Sequence, residues 1–161
     1  MGCKERNGEE GGEERSEEDE MTRAYTEDFA GWAEDTAKAI EEGRFEEIDR
    51  AALADEVASL GRQERREAES RMAVILMHML KAKYQPEKLS ASWQATIRTQ
   101  RRDLAKVLKD SPSLRPQVAA LLLEAYEDAR FEATNETGLD IATFPETCEW
   151  TVEEVLGGEA K

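Results

Sequence analysis

Histidine occurs once in this chain, cysteine twice and proline four times, and each scarcity removes a class of chemistry. Metal sites draw on clustered imidazoles and thiolates, and neither Cys3 nor Cys148 has a partner at ligand spacing. The paired Glu-x-x-His motifs of di-iron bundles and the His-Glu-x-x-His motif of zinc proteases are both missing. No metal and no cofactor is therefore expected. A structural disulfide is not expected either, because Cys3 lies in a segment with almost nothing to bury, and the usage fits a reducing cytoplasm. Aromatic residues make up only 6% of the chain. There is no alternating Val/Ile/Thr/Tyr run and no Asn-Gly turn between such runs, so a sheet is excluded. The longest apolar stretch, Ala73 to Leu80, is interrupted by His78 and falls short of the ~18 residues that a membrane span needs. The N-terminus is acidic and lacks the apolar segment of a secretory leader. Arg6 stands where an acylation signal needs Ser or Thr. A Gly-rich phosphate loop, a nucleophile elbow and a cysteine–histidine pair are also absent.

What is present favours helices: 37% of the residues are charged, and Ala, Glu, Leu, Arg and Lys dominate the rest of the pattern. A length of 161 residues suits one domain with a real core. The expected architecture is all-α, an up-and-down helical bundle of four to five main helices with a disordered acidic N-terminal tail. The tail is residues 1–22, where Gly8 to Glu20 offers no apolar side chain to repay the entropy of ordering. The helical domain is residues 23–156, and residues 157–161 form a C-terminal tail.

Along the domain, Phe29, Trp32, Ala33, Thr36, Ala37 and Ile40 recur at helical spacing, and Gly43 ends that helix. Phe45 and Ile48 are expected to anchor the connection. Asp49 can cap a second helix with the stripe Leu53, Val57 and Leu60. A break or bend is expected at Gly61, followed by a third helix from about Gln63 to Tyr84. Its broad apolar face holds Ala68, Met72, Ile75, Leu76, Met79 and Leu80, and Pro86 stops it. Ser90 or Ser92 caps a fourth helix with Trp93, Ile97, Leu104, Val107 and Leu108 buried. Asp110-Ser111-Pro112-Ser113 is turn chemistry. A fifth helix then buries Val118, Leu121, Leu122, Ala125 and Ala129, and ends near Gly138. Ile141, Phe144, Pro145 and Trp150 read as an arm laid on the bundle, and Thr151 with Glu154 as the capping box of a last short helix.

Charge is distributed in blocks. Residues 1–60 carry 7 basic and 20 acidic side chains, residues 61–116 carry 13 and 6, and residues 117–161 carry 2 and 11. Antiparallel packing of the basic block beside the acidic ones is the plain reading. Nucleic-acid binding by the basic block of residues 62–109 is the alternative, with Arg62, Arg98, Arg102, Lys106 and Lys109 as its face. The overall acidity opposes it.

Two constellations stand out as candidate sites. On the third helix Glu67, Arg71 and the lone His78 share a polar stripe with Glu64 and Gln85, and Glu67 with Arg71 is an i, i+4 pair in the favourable order. A neighbouring helix covering the stripe would make a buried carboxylate–guanidinium–imidazole network. Such a network is either structural or, less simply, an enzyme site in which His78 does acid–base work. On the fourth helix Gln100 and Arg101 interrupt the buried stripe. They form either a register-fixing polar network or the floor of a pocket walled by Tyr84 and Trp93. Stacking of bases on Tyr84 or Trp93 is opposed by the position of Trp93 on the buried side.

Four stretches carry a family resemblance: Leu60-Gly61-Arg62-Gln63-Glu64-Arg65-Arg66-Glu67, His78 through Pro86, Ser92-Trp93-Gln94-Ala95-Thr96-Ile97, and Asp110-Ser111-Pro112-Ser113-Leu114. With them the chain resembles the bacterial domain-of-unknown-function family twenty-nine, largely cyanobacterial and proteobacterial, from about Tyr25 to Leu156. The resemblance implies an all-helical cytoplasmic domain, with Met21 as the natural start, and brings no catalytic residues. Two positions depart from the family pattern: Lys81-Ala82-Lys83 replaces an aromatic before Tyr-Gln-Pro, and Glu149 replaces a proline. The functional expectation is a non-enzymatic protein-interaction or regulatory module whose partner is another protein, with no membrane. The oligomeric state and the partner are left open.

Overall fold

A computed structural model describes residues 25–158. The tail of residues 1–22, with Cys3 in it, lies outside the described residues, as do 159–161. The described residues contain helices and turns and no strand. The order is α1 (Phe29–Glu41), α2 (Arg50–Tyr84), α3 (Ala91–Asp110), α4 (Val118–Thr137) and α5 (Val152–Leu156), with short 3-10 turns between them. The fold is an all-α helical bundle. By contact the chain divides into two compact units, Met1–Ala58 and Ser59–Lys161.

In the first unit, Asp28 caps α1 by accepting from the Gly31 amide at 3.0 Å. The helix ends in a Schellman arrangement: Gly43, at φ +73, donates to the Ile40 carbonyl at 3.1 Å, and Arg44 donates to that of Ala39 at 2.8 Å. Tyr25, Phe29 and Trp32 form an edge-packed aromatic group, with Tyr25 and Trp32 centroids 4.7 Å apart. The Tyr25 hydroxyl donates to Glu56 at the start of α2, at 3.1 Å. Asp49 caps α2 as expected, accepting from the Ala51 and Ala52 amides.

The expected apolar stripes of this unit are corrected. Phe29, Ile40, Phe45 and Val57 are all exposed, as is Leu60 just past the unit's end, while Trp32 and Ala39 are buried. Phe45 does not anchor the connection. It sits in an exposed 3-10 turn, because the backbone closes there through Ile48 donating to the Phe45 carbonyl and needs no side-chain anchor. The break expected at Gly61 is also absent: α2 is one helix of 35 residues. A lone mid-helix glycine costs only ~1 kcal/mol relative to Ala, and a helix of this length absorbs that. The second and third expected helices are therefore one, leaving four long helices among the described residues.

In the second unit the expected faces do form the core. Ala68, Met72, Ile75, Leu76 and Leu80 of α2 pack with Leu104, Val107 and Leu108 of α3 and with Val118, Leu121, Leu122, Ala125 and Ala129 of α4. Met79, Ile97 and Trp150 are partly buried against this cluster. Ser90 caps α3 by accepting from the Trp93 amide at 3.2 Å. The arm after α4 inserts Phe144, one of the largest fully buried side chains, whereas Ile141 is exposed. The arm is held by Tyr126, which donates to the Pro145 carbonyl at 2.9 Å, and by Arg130, which donates to that of Phe144 at 3.1 Å.

The charge blocks meet inside this unit. Arg65 pairs with Glu124 at 2.8 Å, Lys81 with Glu136, and Lys83 with Glu149. Basic side chains of α2 thus face acidic ones of α4 and the arm, as the plain reading of the charge blocks requires.

Candidate functional site

Two surfaces flank the second half of α2, one toward α3 and one toward α4. On the α3 side Arg71 is the centre. Its Nη2 donates to Glu67 at 2.7 Å and its Nη1 to the Gln100 side-chain oxygen at 3.1 Å, and Asp103 lies 3.6 Å away. A polar cleft of about 400 Å³ opens beside it, lined also by Glu64, Lys106 and Asp110. This joins three of the expected residues, Glu67, Arg71 and Gln100, and satisfies each of them, which is the chemistry of a register-fixing contact.

The other expected residues go elsewhere. His78 is buried at 8% exposure, and its Nδ1 donates to the Val74 carbonyl one turn back, at 2.9 Å. A carbonyl can only accept, so Nδ1 carries the proton and Nε2 is the free lone pair in the neutral ring. The ring meets Trp93 edge-on at 6.5 Å. No hydrogen bond joins His78 to Glu67, Arg71 or Arg101 among the described residues. The expected carboxylate–guanidinium–imidazole network is thereby corrected, because the polar stripe winds around α2 and meets α3 at two separate levels.

Arg101, next to Gln100, bonds to α5 instead. Its Nε and Nη2 donate to the Val155 and Glu154 carbonyls at 2.9 and 2.6 Å. It thus supplies positive charge to the C-terminus of α5, where the helix dipole favours it. Gly157, at φ +88, lets the chain turn directly against this guanidinium: a Cβ there would lie 3.0 Å from Arg101 Cδ. Burial holds the guanidinium pKa below its usual range. Tyr84 packs edge-on against Phe144 at 5.3 Å. Neither Tyr84, Trp93 nor Gln100 lines the cleft at Arg71, which is therefore not the expected pocket with Gln100 as floor and those two rings as walls.

Sequence reasoning missed Lys81. It is buried, pairs with Glu136, and places its ammonium 4.3 Å above the centre of the Trp93 ring. A buried ammonium needs such partners to offset its desolvation. The residues expected to form a basic face lie at the surface. Arg62, Arg98, Arg102, Lys106 and Lys109 are all exposed, and the last four follow one line of α3. Asp103 lies within that line, accepting from Arg102 at 3.1 Å and lying 3.6 Å from Lys106. The Arg102 hydrogen bond, helped by the nearby positive charges, holds the Asp103 carboxyl below its usual range. Part of the positive field is thus neutralised at source.

The α4 side of α2 was not foreseen at all. A groove of about 540 Å³ lies between the two helices. Ser70, Ala73, Val74 and Met77 of α2 form one side, and Asp128, Phe131 and Glu132 of α4 the other. Phe131 stands 59% exposed at its edge. The available signal was that Val74, Met77 and Phe131 fall outside the main apolar stripes of their helices.

A family model described as a domain of unknown function, DUF29, matches residues 24–159. The chain belongs to the DUF29 family. No curated protein and no solved structure matches the chain. Among the described residues of the DUF29 domain, no three His, Cys, Asp or Glu side chains converge to hold a metal ion, and no helix is long and apolar enough to cross a membrane. Cys148 is a free thiol whose pKa is pushed up by burial, which lowers its reactivity.

Proposed function

We propose that this DUF29 domain is a non-enzymatic protein-interaction module that receives a partner protein in the groove between α2 and α4. The observation that carries the reading is Phe131, a large apolar ring 59% exposed beside a groove with an apolar floor. Scattered exposed apolar residues need no explanation, but an aromatic at the lip of a groove is the composition of a binding hot spot. A second reading, nucleic-acid binding, is favoured by the exposed line Arg98, Arg102, Lys106 and Lys109 on α3. Cytoplasmic location is part of the proposal and rests on cysteine usage.

One experiment separates the two. The full chain, its Phe131→Glu variant and its Arg98→Glu/Lys106→Glu variant are each retained on a column and exposed to a bacterial lysate at low salt. A protein retained by the wild type and the α3 variant, but lost with Phe131→Glu, supports the groove. Nucleic acid that elutes as salt rises and is lost only with the α3 variant replaces that reading with the second. Circular dichroism of both variants should match the wild type, since neither side chain is buried.

A further inference from the structure

We infer that the occupant of the α2–α4 groove is an amphipathic helix of a different protein with lysine or arginine along its flanks, an inference that rests on the groove being a docking site. Shape sets the first half of the argument. The α2 side runs from Arg66 to Met77, about 16 Å at the helical rise, or roughly three turns. Ser70 and Ala73 are small, so a helix backbone can approach closely there. Val74, Met77 and Phe131 supply the apolar surface that an i, i+3, i+4, i+7 stripe packs into.

Charge sets the second half. Asp128 and Glu132 line the groove one helical turn apart on α4. Like charges at that spacing repel unless a cation sits between them. Some carboxylates of the second unit hold cations: Glu67 holds Arg71, Glu124 holds Arg65, Glu136 holds Lys81 and Glu149 holds Lys83. Asp128 and Glu132 hold none among the described residues. The one cation lining the groove, Arg66, forms no ion pair with them. With Glu69, which lies 3.7 Å from Arg65, three carboxylates line the groove around its apolar floor, the complement of a helix whose apolar stripe is bordered by basic residues.

The test uses the full chain and two synthetic amphipathic peptides of about 18 residues. They share one leucine stripe; lysine borders it in the first and glutamate in the second. Fluorescence anisotropy at low and moderate salt should show the lysine peptide binding to the wild type. Asp128→Lys/Glu132→Lys should weaken it by about tenfold or more, as should Phe131→Glu, while the reversal Glu146→Lys/Glu153→Lys, outside the groove, should change it by less than about twofold. Equal losses from both reversals would mean attraction by net charge alone and would overturn the inference. Phe131-dependent binding of the glutamate peptide instead would keep the docking site and discard its basic partner. Binding of neither peptide would remove the groove itself. A concentration-dependent dimer in sedimentation velocity, dissolved by Phe131→Glu, would assign the groove to a second copy and likewise overturn the inference.

Discussion

The two flanks of α2 in the second unit are made by the same helix, one stripe apart, yet they are finished differently. Toward α3 the polar groups are matched: Arg71 meets Glu67 and Gln100, and Asp103 completes the set. Toward α4 the core closes at Ala68, Met72 and Leu76, and the groove outside it keeps Phe131, Asp128 and Glu132 without partners of their own. Matched polar groups fix how two helices sit against each other. Unmatched ones beside an apolar floor fix no such geometry, and the proposed docking helix would supply their partners. The first flank is architecture and the second is the functional candidate.

The largest expected effect breaks this comparison at the core. Leu76→Ala, at a position with no exposure, should cost about 2–5 kcal/mol in urea unfolding. Phe131→Ala should cost less than about 0.5 kcal/mol. A large loss for Phe131→Ala would make the ring a packing residue and the groove an ordinary surface. Next in size is the α3 flank. A double-mutant cycle with Arg71→Met and Gln100→Leu should give a coupling of about 1 kcal/mol by the same unfolding measurement. No coupling would erase the distinction between a matched and an unmatched flank.

The last prediction is one of pH and concerns the arm held to α4 by Tyr126 and Arg130. Burial pushes the Tyr126 phenol up to about 12, and its hydroxyl donates to the Pro145 carbonyl. An unfolded tyrosine ionises near 10, so between about pH 10 and 12 the unfolded chain has lost a proton that the folded chain keeps. Stability from this group is complete below pH 10 and falls as pH rises through that window. Thermal melts of Tyr126→Phe should be lower than wild type at pH 8 and should lose that alkaline slope.

How much of this could be read beforehand differs by element. The buried faces of α3, α4 and the second half of α2 follow from apolar period. Caps at Asp49, Ser90 and Thr151 follow from short polar side chains placed before helical runs. The first unit resisted the same reasoning. Phe29, Ile40, Val57 and, just past its end, Leu60 have helical spacing but are exposed, because periodicity names a face without saying that anything covers it. Within the candidate sites, Glu67 with Arg71 was legible as a local i, i+4 pair. The separation of His78 from it was not, since two positions on one stripe can meet different neighbours. Lys81 was hidden by its type: lysine reads as surface until a tryptophan and a glutamate from other elements close around it.

By itself the sequence determined what is local: helix type, ends and caps, the core stripes of the second unit, and the membership of a family whose model matches residues 24–159. Tertiary structure alone decided which polar stripe residues share a partner, that Arg101 serves the C-terminus of α5, and that α2 and α4 leave a groove lined by three carboxylates. The reason is physical. Local preferences act over one or two helical turns, whereas a groove and an ion pair depend on the separation of atoms tens of residues apart, which only packing sets.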